Sequence, residues 1–381
     1  MQYRKCGNTG VEVSALGFGC MRLPTADGVA LSANIDQAEA TRIIRHAIDS
    51  GVNYIDTAYF YHDGNSEAAV GEALLGGYRE RVQLATKSPV YSFESEEDFD
   101  RVLDEQLARL QTDHIDFYLL HALSLRTWKE KVLKFHLLEK MEKAKRDGKI
   151  RFIGFSFHDN YDAFVTMVDG FDRWDFCQIQ LNYVGTDYQA GLRGLEYAAA
   201  KGLGVIIMEP LLGGRLAVPP EQVAKALSCE KTPVEWALDY LWNHPEVSLV
   251  LSGMGTMQQT EDNLTYAGRS SVGMLSEGEL AMLAHAKTVF DTMALVPCTK
   301  CAYCMPCPFG LDIPKIYEAY NLTVSAGIRK ALESYNEISV KADACKRCQK
   351  CEKLCPQAIA SSELMPQIAD SFTNAKIEDD D

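Results

Sequence analysis

The chain has 381 residues, nearly half of them apolar, and a formal net charge of −15. That length suits one large domain joined to a smaller one. The acidic balance argues against nucleic acid or an anionic membrane as the main partner, and no apolar run is long enough to span a bilayer. The N-terminus, Met1-Gln2-Tyr3-Arg4-Lys5, lacks the apolar stretch of a signal peptide, so a cytoplasmic protein is expected.

Residues 1 to about 270 alternate short apolar runs with amphipathic stretches. The runs are Ser14–Gly19, Asn53–Ala58, Val82–Lys87, Ile115–His121, Ile150–Ser156, Phe176–Asn182, Gly204–Pro210 and Leu249–Met254, which make eight candidate strands. Between them lie helical patterns such as Asp36–Ser50, Glu67–Leu75, Glu96–Leu110, Phe135–Asp147, Gln189–Lys201 and Pro233–Asn243. Several helices stop at glycine, as in Ser50-Gly51, Asp147-Gly148 and Lys201-Gly202, where a left-handed residue closes the last turn. Strand and helix alternating eight times imply a parallel sheet closed into a (β/α)8 TIM barrel. An open doubly wound sheet is the rival, but Gly17-Phe18-Gly19 is only a fragment of the dinucleotide-binding signal such a sheet carries after its first strand.

Chemistry in a (β/α)8 barrel sits at the C-terminal ends of the strands. Those ends carry Asp56 with Tyr61 five residues on, then Lys87, His121, Ser156, Gln180 and Asn182. A lone histidine is more often a satisfied core or rim residue, and a lone lysine a surface one. Four such groups in register on adjacent strand ends point to a site. Cys20, Met21 and Arg22 follow the first strand and edge that region, with Arg22 either touching a ligand or lying on the surface. Tyr59, Tyr91 and Trp128 either line a pocket or pack under loops. Cys6, Cys20, Cys177 and Cys229 read as packing cysteines.

Eight of the twelve cysteines fall between Cys298 and Cys355. They form two runs, Cys298-x2-Cys301-x2-Cys304-x2-Cys307-Pro308 and Cys345-x2-Cys348-x2-Cys351-x3-Cys355-Pro356. A reducing compartment disfavours disulfides on this scale, so metal is expected. Structural zinc takes cysteines as two separated pairs, whereas three cysteines at two-residue intervals wrap one cubane. These runs therefore predict two [4Fe–4S] clusters in a small ferredoxin-like domain. In two-cluster bacterial ferredoxins the fourth cysteine of each run ligates the other cluster. By that rule Cys298, Cys301, Cys304 and Cys355 hold one cluster, and Cys345, Cys348, Cys351 and Cys307 the other. The second run matches the ferredoxin spacing fully; the first departs by one residue before its last cysteine. Between the runs, Ile316, Tyr320, Val324, Ile328 and Leu332 recur every four residues and predict helix over 314–340, so the module is mostly helical. Lys300, Lys346, Arg347, Lys350 and Lys353 either offset cluster charge, dock an acidic carrier, or form an ordinary solvated surface.

The first seven tenths of the chain resemble the aldo-keto reductases. The likeness rests on Gly17-Phe18-Gly19, Asn53 to Tyr61 (Asn-Tyr-Ile-Asp-Thr-Ala-Tyr-Phe-Tyr), Leu84-Ala85-Thr86-Lys87, Asp116 to His121, Ile153-Gly154-Phe155-Ser156 and Pro210-Leu211. The cysteine module resembles the extension on an iron–sulfur branch of that family. The resemblance implies an NAD(P)H-dependent oxidoreductase that moves hydride between a nicotinamide and an aldehyde or ketone. Tyr61 would be the general acid, Lys87 the ammonium that favours its phenolate, Asp56 the carboxylate holding Lys87, and His121 the group orienting the carbonyl.

For the cofactor, the resemblance implies Ser156 and Gln180 at the carboxamide, with Phe157 where an Asn is usual, so that this contact is either lost or replaced by His158. Met208 takes the place of the stacking aromatic. Pro210, Leu211, Gly213 and Arg215 match the pyrophosphate loop. Gly253, Gly255, Thr256, Gln259 and Asn263 match the adenosine-phosphate end, with Gly19 and Arg22 nearby. NADP(H) is the family default, and the missing basic cluster after Gly253 leaves NAD open. Hydride carries two electrons and a cubane passes one, so clusters and nicotinamide working together need an adapter, most naturally a flavin such as FMN. A rival reading is a ferredoxin-linked reductase, with ferredoxin or flavodoxin as redox partner. The expected domains are 1–275 for the barrel, 276–295 for a connecting helix, 296–370 for the iron–sulfur domain and 371–381 for an acidic tail.

Overall fold

The computed structural model describes residues 1–292, 295–325 and 328–374. Its backbone contacts divide into two units: Met1–Pro210 with Glu235–Ser276, and Leu211–Val234 with Glu277 onward.

The first unit opens with a hairpin of β1 (Tyr3–Lys5) and β2 (Glu12–Ser14), which the apolar runs do not foretell. Eight parallel strands follow: β3 (Leu16–Gly19), β4 (Tyr54–Asp56), β5 (Gln83–Ser88), β6 (Ile115–Leu123), β7 (Ile150–Phe157), β8 (Phe176–Gln180), β9 (Gly204–Met208) and β10 (Val247–Gly253). Each pairs with the next, and β10 returns to β3, closing the barrel. All eight expected strands are present and the open sheet is excluded.

The barrel is filled from its N-terminal end by Tyr54, Phe117, Phe152 and Phe176, with Leu249 and Leu251. Phe117 lies 4.9 Å from both Phe152 and Phe176, ring centre to ring centre, and 5.1 Å from Tyr54. Each such ring contributes about 1.5–3 kcal/mol by leaving water. Period-two alternation then decides what lies above them. Tyr54 faces inward, so Asp56 does too. Ala85 carries Lys87 with it, Phe117 and Leu119 carry His121, Phe152 carries Ser156, Phe176 carries Gln178 and Gln180, and Ile206 carries Met208.

Helices cover the outside. Gln37–Asp49 starts at Asp36, whose side chain accepts from the Glu39 amide, and buries Ala40, Ile43, Ile44, Ala47 and Ile48. This is the stripe a half-buried helix shows. Tyr161–Asp169 and Met257–Gly268 start in the same way, on Asn160 and Thr256.

The second unit contains helices Glu221–Ala226 and Glu277–Asp291, then Ile313–Ser325, Ile328–Asn336 and Ser361–Thr373. The expected helix over 314–340 is thus two helices, with residues 326–327 outside the described set. Their core includes Ile316, Tyr317, Ala331, Tyr335, Ile368 and Phe372, with Tyr335 stacked on Phe372 at 3.9 Å. The acidic residues 378–381 lie outside the described residues.

Candidate active site and cysteine cavities

Asp56, Tyr61, Lys87 and His121 come together at the C-terminal end of the barrel. The Lys87 ammonium donates to Asp56 Oδ1 at 2.5 Å, to the Thr57 carbonyl at 2.8 Å and to the Tyr61 hydroxyl at 3.5 Å. Lys87 is fully buried and Asp56 nearly so. Burial pushes the Asp56 carboxyl up, and the charge of Lys87 opposes that. A buried pair of this kind is held by partnership, since either charge alone would be costly. The ring of Tyr61 stands edge-on to His121 at 6.1 Å. Burial holds the His121 imidazole well below its usual range, with the charges of Lys87 and His158 acting in the same direction, so it is neutral at pH 7.

The loop carrying Tyr61 is anchored by the next residue. His62 is buried; its Nε2 accepts from the Leu23 amide at 3.2 Å and its Nδ1 lies 2.7 Å from the Ser32 carbonyl. Behind β5, the fully buried Glu67 accepts from Thr86 Oγ1 and Gln106 Nε2, each at 2.6 Å, while Gln106 also donates to the Lys87 carbonyl at 3.1 Å. Sequence reasoning misses this bracket because Glu67 and Gln106 look like ordinary exposed helix positions.

Among the expected cofactor residues, Ser156 is buried and its hydroxyl accepts from the Ala122 amide at 2.8 Å, which leaves its proton to give. Gln180 is buried on the same face, with Gln178 below it, a residue the sequence reading passes over. Gln178 Nε2 lies 3.5 Å from the Met208 sulfur. Phe157 faces outward, packed on Phe164 at 5.1 Å, and the half-buried His158 falls on the inward phase. Burial lowers the His158 pKa to about 4, which Gln189 partly opposes by a hydrogen bond. Asn182 is taken up in structure, donating to the Glu209 carbonyl at 3.1 Å and accepting from the Gly185 amide at 2.8 Å.

The residues expected at the adenosine-phosphate end also lie together. Gly19 pairs with Gly253 across β3 and β10. The side chain of Arg22 lies along Gly253, so that a Cβ there would stand 3.4 Å from it. Thr256 caps the helix by accepting from the Gln259 amide, Gln259 Oε1 accepts from the Gly255 amide at 2.9 Å, and Asn263 donates to Ser252 Oγ at 3.0 Å. Pro210 is buried at the end of the segment after β9. Leu211, Gly213 and Arg215 belong to the second unit.

Of the residues with open roles, Tyr91 stands 5.9 Å from the His121 ring. Tyr59 is committed elsewhere, donating to Glu105 at 2.5 Å, and Trp128 is core, 6.4 Å from Trp174. Cys6, Cys20 and Cys177 are buried as packing residues. Cys229 is exposed and corrects that expectation: it lies in a loop between helices Glu221–Ala226 and Pro233–Trp242.

In the second unit the two cysteine runs repeat one local geometry. The Lys300 amide reaches Cys298 Sγ and the Arg347 amide reaches Cys345 Sγ, both at 3.4 Å. Lys300 and Ala302 have positive φ, and so do Arg347 and Gln349 at the matching steps of the second run. Left-handed backbone at non-glycine residues is costly. Here it curls each run so that its thiols face one side. One cavity is lined by Cys298, Cys301, Cys304, Cys351 and Cys355. Another, of about 200 Å³, is lined by Cys304, Cys307, Cys345, Cys348 and Cys351. Among the described residues no three His, Cys, Asp or Glu side chains close in around a single ion; the thiols surround larger spaces instead. Burial pushes the Cys304 thiol up, and the charges of Cys301, Cys298 and Cys355 add to it. Arg215 is a partner to this set: its guanidinium lies 4.9 Å over the Phe290 ring, and Cys298 offsets the downward push of burial on it. Gly213, at φ +64°, presses against Thr299, where a Cβ would stand 2.2 Å from the carbonyl oxygen.

Comparison with known proteins accords with both halves. Residues 15–271 match the model of the aldo/keto reductase family, and residues 297–360 match a 4Fe-4S dicluster domain. L-galactose dehydrogenase of Arabidopsis thaliana is 32% identical over 73% of this chain and 92% of its own length. The 6-dehydroglucose reductase of Novosphingobium aromaticivorans is 30% identical over 59% of this chain and 74% of its own. Among solved structures, an aldo-keto reductase of Bacillus halodurans in its holo form superposes with a TM-score of 0.62 at 25% identity, covering 75% of this chain and 96% of that one. These matches give no support for FMN. No helix among the described residues is long and apolar enough to cross a membrane. The chain belongs to the aldo/keto reductase family, as an NAD(P)H-dependent oxidoreductase with a 4Fe-4S dicluster domain after its barrel.

Proposed function

We propose that the barrel reduces an aldehyde or ketone with NADPH, and that the C-terminal unit holds two [4Fe–4S] clusters. The observation that carries the first part is the buried Lys87 ammonium, shared between Asp56 and the Tyr61 hydroxyl beside a neutral His121. Bound NADPH supplies the hydride. Tyr61 gives its proton to the carbonyl oxygen as negative charge develops there, and the ammonium 3.5 Å away stabilises the phenolate left behind. Asp56 keeps Lys87 charged and aimed. His121, neutral, offers an N–H to the same oxygen and orients it.

Ser156 and Gln180 are the proposed carboxamide partners, Met208 the residue beside the nicotinamide, and Gly19, Gly253, Gly255, Thr256, Gln259 and Asn263 the adenosine-phosphate end. Arg22 beside Gly253 supplies a cation there, which favours NADPH over NAD. Pro210, Leu211, Gly213 and Arg215 remain proposed for the pyrophosphate. The names of two relatives make sugar-derived carbonyls the first substrates to try.

The cavity linings and the mutual effect of Cys298, Cys301, Cys304 and Cys355 support crossed ligation, with Cys307 joining Cys345, Cys348 and Cys351. The expected boundaries at 275, 295 and 370 are kept as a proposal.

Tyr61→Phe should lower carbonyl reduction by about 10²–10⁴-fold while NADPH still binds. Cofactor binding by fluorescence titration beside turnover checks this, and full activity in the variant would remove Tyr61 as the acid.

A further inference from the structure

The two cysteine cavities differ in access. Of the eight cysteines in the runs, Cys348 alone is exposed. The cavity it lines is also lined by Pro308, Phe309 and Leu354, with Phe309 and Leu354 each 42% exposed. Two exposed cations, Arg347 and Lys350, line the same cavity, and Lys346 and Lys353, close to them in sequence, are exposed as well. Lys300, by contrast, is committed to Glu318 at 2.6 Å, whereas none of those four makes an ion pair with another described residue. The one carboxylate within 345–355, Glu352, is turned to the Ser362 amide at 2.5 Å. A concentrated basic face on a chain of net charge −15 runs against the molecule's own electrostatic trend. An apolar centre inside a charged rim is the anatomy of an interface, and redox encounters are small and transient.

Resting on the two-cluster reading, we propose that this face docks a small acidic one-electron carrier protein of the ferredoxin or flavodoxin type. One electron passes between the carrier and the cluster held by Cys307, Cys345, Cys348 and Cys351. The carrier is oxidised by one electron as the cluster is reduced by one, with no bond or proton moved. Opposite charge steers the encounter, so the rate falls with salt. The rival role for the four cations is to offset cluster charge, which would move the cluster potential instead.

The test uses full-length protein purified without air. Wild type is compared with the charge-reversed Lys346→Glu/Arg347→Glu/Lys350→Glu/Lys353→Glu protein and a milder Lys350→Gln/Lys353→Gln protein. Iron and sulfide content come first, and a wild type without the iron of two clusters defeats the cluster reading rather than the docking face. Cluster reduction is then followed by stopped flow at low and high salt, with a reduced acidic [2Fe–2S] ferredoxin as probe and with methyl viologen radical, which needs no docking. Binding of oxidised ferredoxin is measured by calorimetry. At low salt the reversed protein should accept electrons from ferredoxin about 10–100-fold more slowly, lose the salt dependence and lose binding. The viologen rate should stay within about twofold. The milder variant should fall between them. An unchanged ferredoxin rate, or an equal fall with both reductants alongside a shifted cluster potential, overturns the proposal.

Discussion

At the scale of single residues, the site depends on groups held in protonation states that water would not give them. Burial keeps His121 neutral and brings His158 to about 4. Both bind fewer protons folded than unfolded below the ordinary histidine value of about 6.5. The unfolded chain therefore gains protons first as the pH drops, and the folded barrel loses stability from about pH 6.5 down through pH 4. His158 contributes up to about 1.4 kcal/mol per pH unit across that window, and His121 acts in the same direction. Burial raises Asp56 and Glu67 in the opposite sense, so they protonate more readily in the folded state and offset part of the loss at its acid end. All four tryptophans, Trp128, Trp174, Trp236 and Trp242, lie in the barrel unit, and their fluorescence reports it alone. Denaturant midpoints between pH 7 and 4.5 should fall, and His158→Gln should flatten the slope by about one proton's worth. A slope unchanged by His158→Gln would mean that this histidine titrates normally in the fold. Asp56, Lys87 and His121 were legible in the sequence because strand alternation places them without knowledge of the packing. Glu67 and Gln106 were not, since nothing local separates a carboxylate buried behind β5 from one in water.

At the scale of elements, the strands could be read and one long connection could not. Each barrel strand shows as an apolar run because a parallel strand is covered on both faces. The hairpin of β1 and β2 is too short to show a period. The segment Leu211–Val234 follows β9 and returns to helix Pro233–Trp242, where a barrel sequence calls for a simple loop and helix, yet it folds with the other unit. Its signal is non-local: Gly213 is glycine because the backbone of Thr299 lies where a side chain would be, and because its φ is +64°. The sequence reading takes Gly213 only for the pyrophosphate loop, because its approach to Thr299 links residues 86 positions apart and leaves no local signal. Gly213→Ala should then displace the Cys298–Thr299 backbone. The left-handed φ alone costs about 1 kcal/mol, and a backbone clash adds to it. The expected outcome is loss of cluster absorbance and iron from the unit, with tryptophan fluorescence of the barrel unchanged. Full iron content in that variant would show that the segment yields without cost.

At the scale of the molecule, the residues proposed for carbonyl reduction all come from the barrel unit, while the eight cysteines of the two runs all come from the other. Hydride chemistry moves two electrons at once and a cubane moves one, so turnover with NADPH alone has no step that requires a cluster. Leu211, Gly213 and Arg215 complicate a clean division: they are proposed to meet the pyrophosphate, yet they fold with the cysteine unit, Arg215 beside Cys298. If the clusters order that unit, removing them loosens the segment proposed for the pyrophosphate without touching Asp56, Tyr61, Lys87 or His121. Protein bleached of its clusters should therefore keep kcat for aldehyde reduction within about threefold, while KM for NADPH rises several-fold. That is the pattern of lost uniform binding rather than lost transition-state stabilisation. Tryptophan fluorescence establishes that the barrel is intact, and steady-state rates across a range of NADPH separate the two constants. A collapse of kcat with fluorescence unchanged would put the clusters in the electron path to the substrate, and the barrel would then need the redox face around Cys348 for its own reaction.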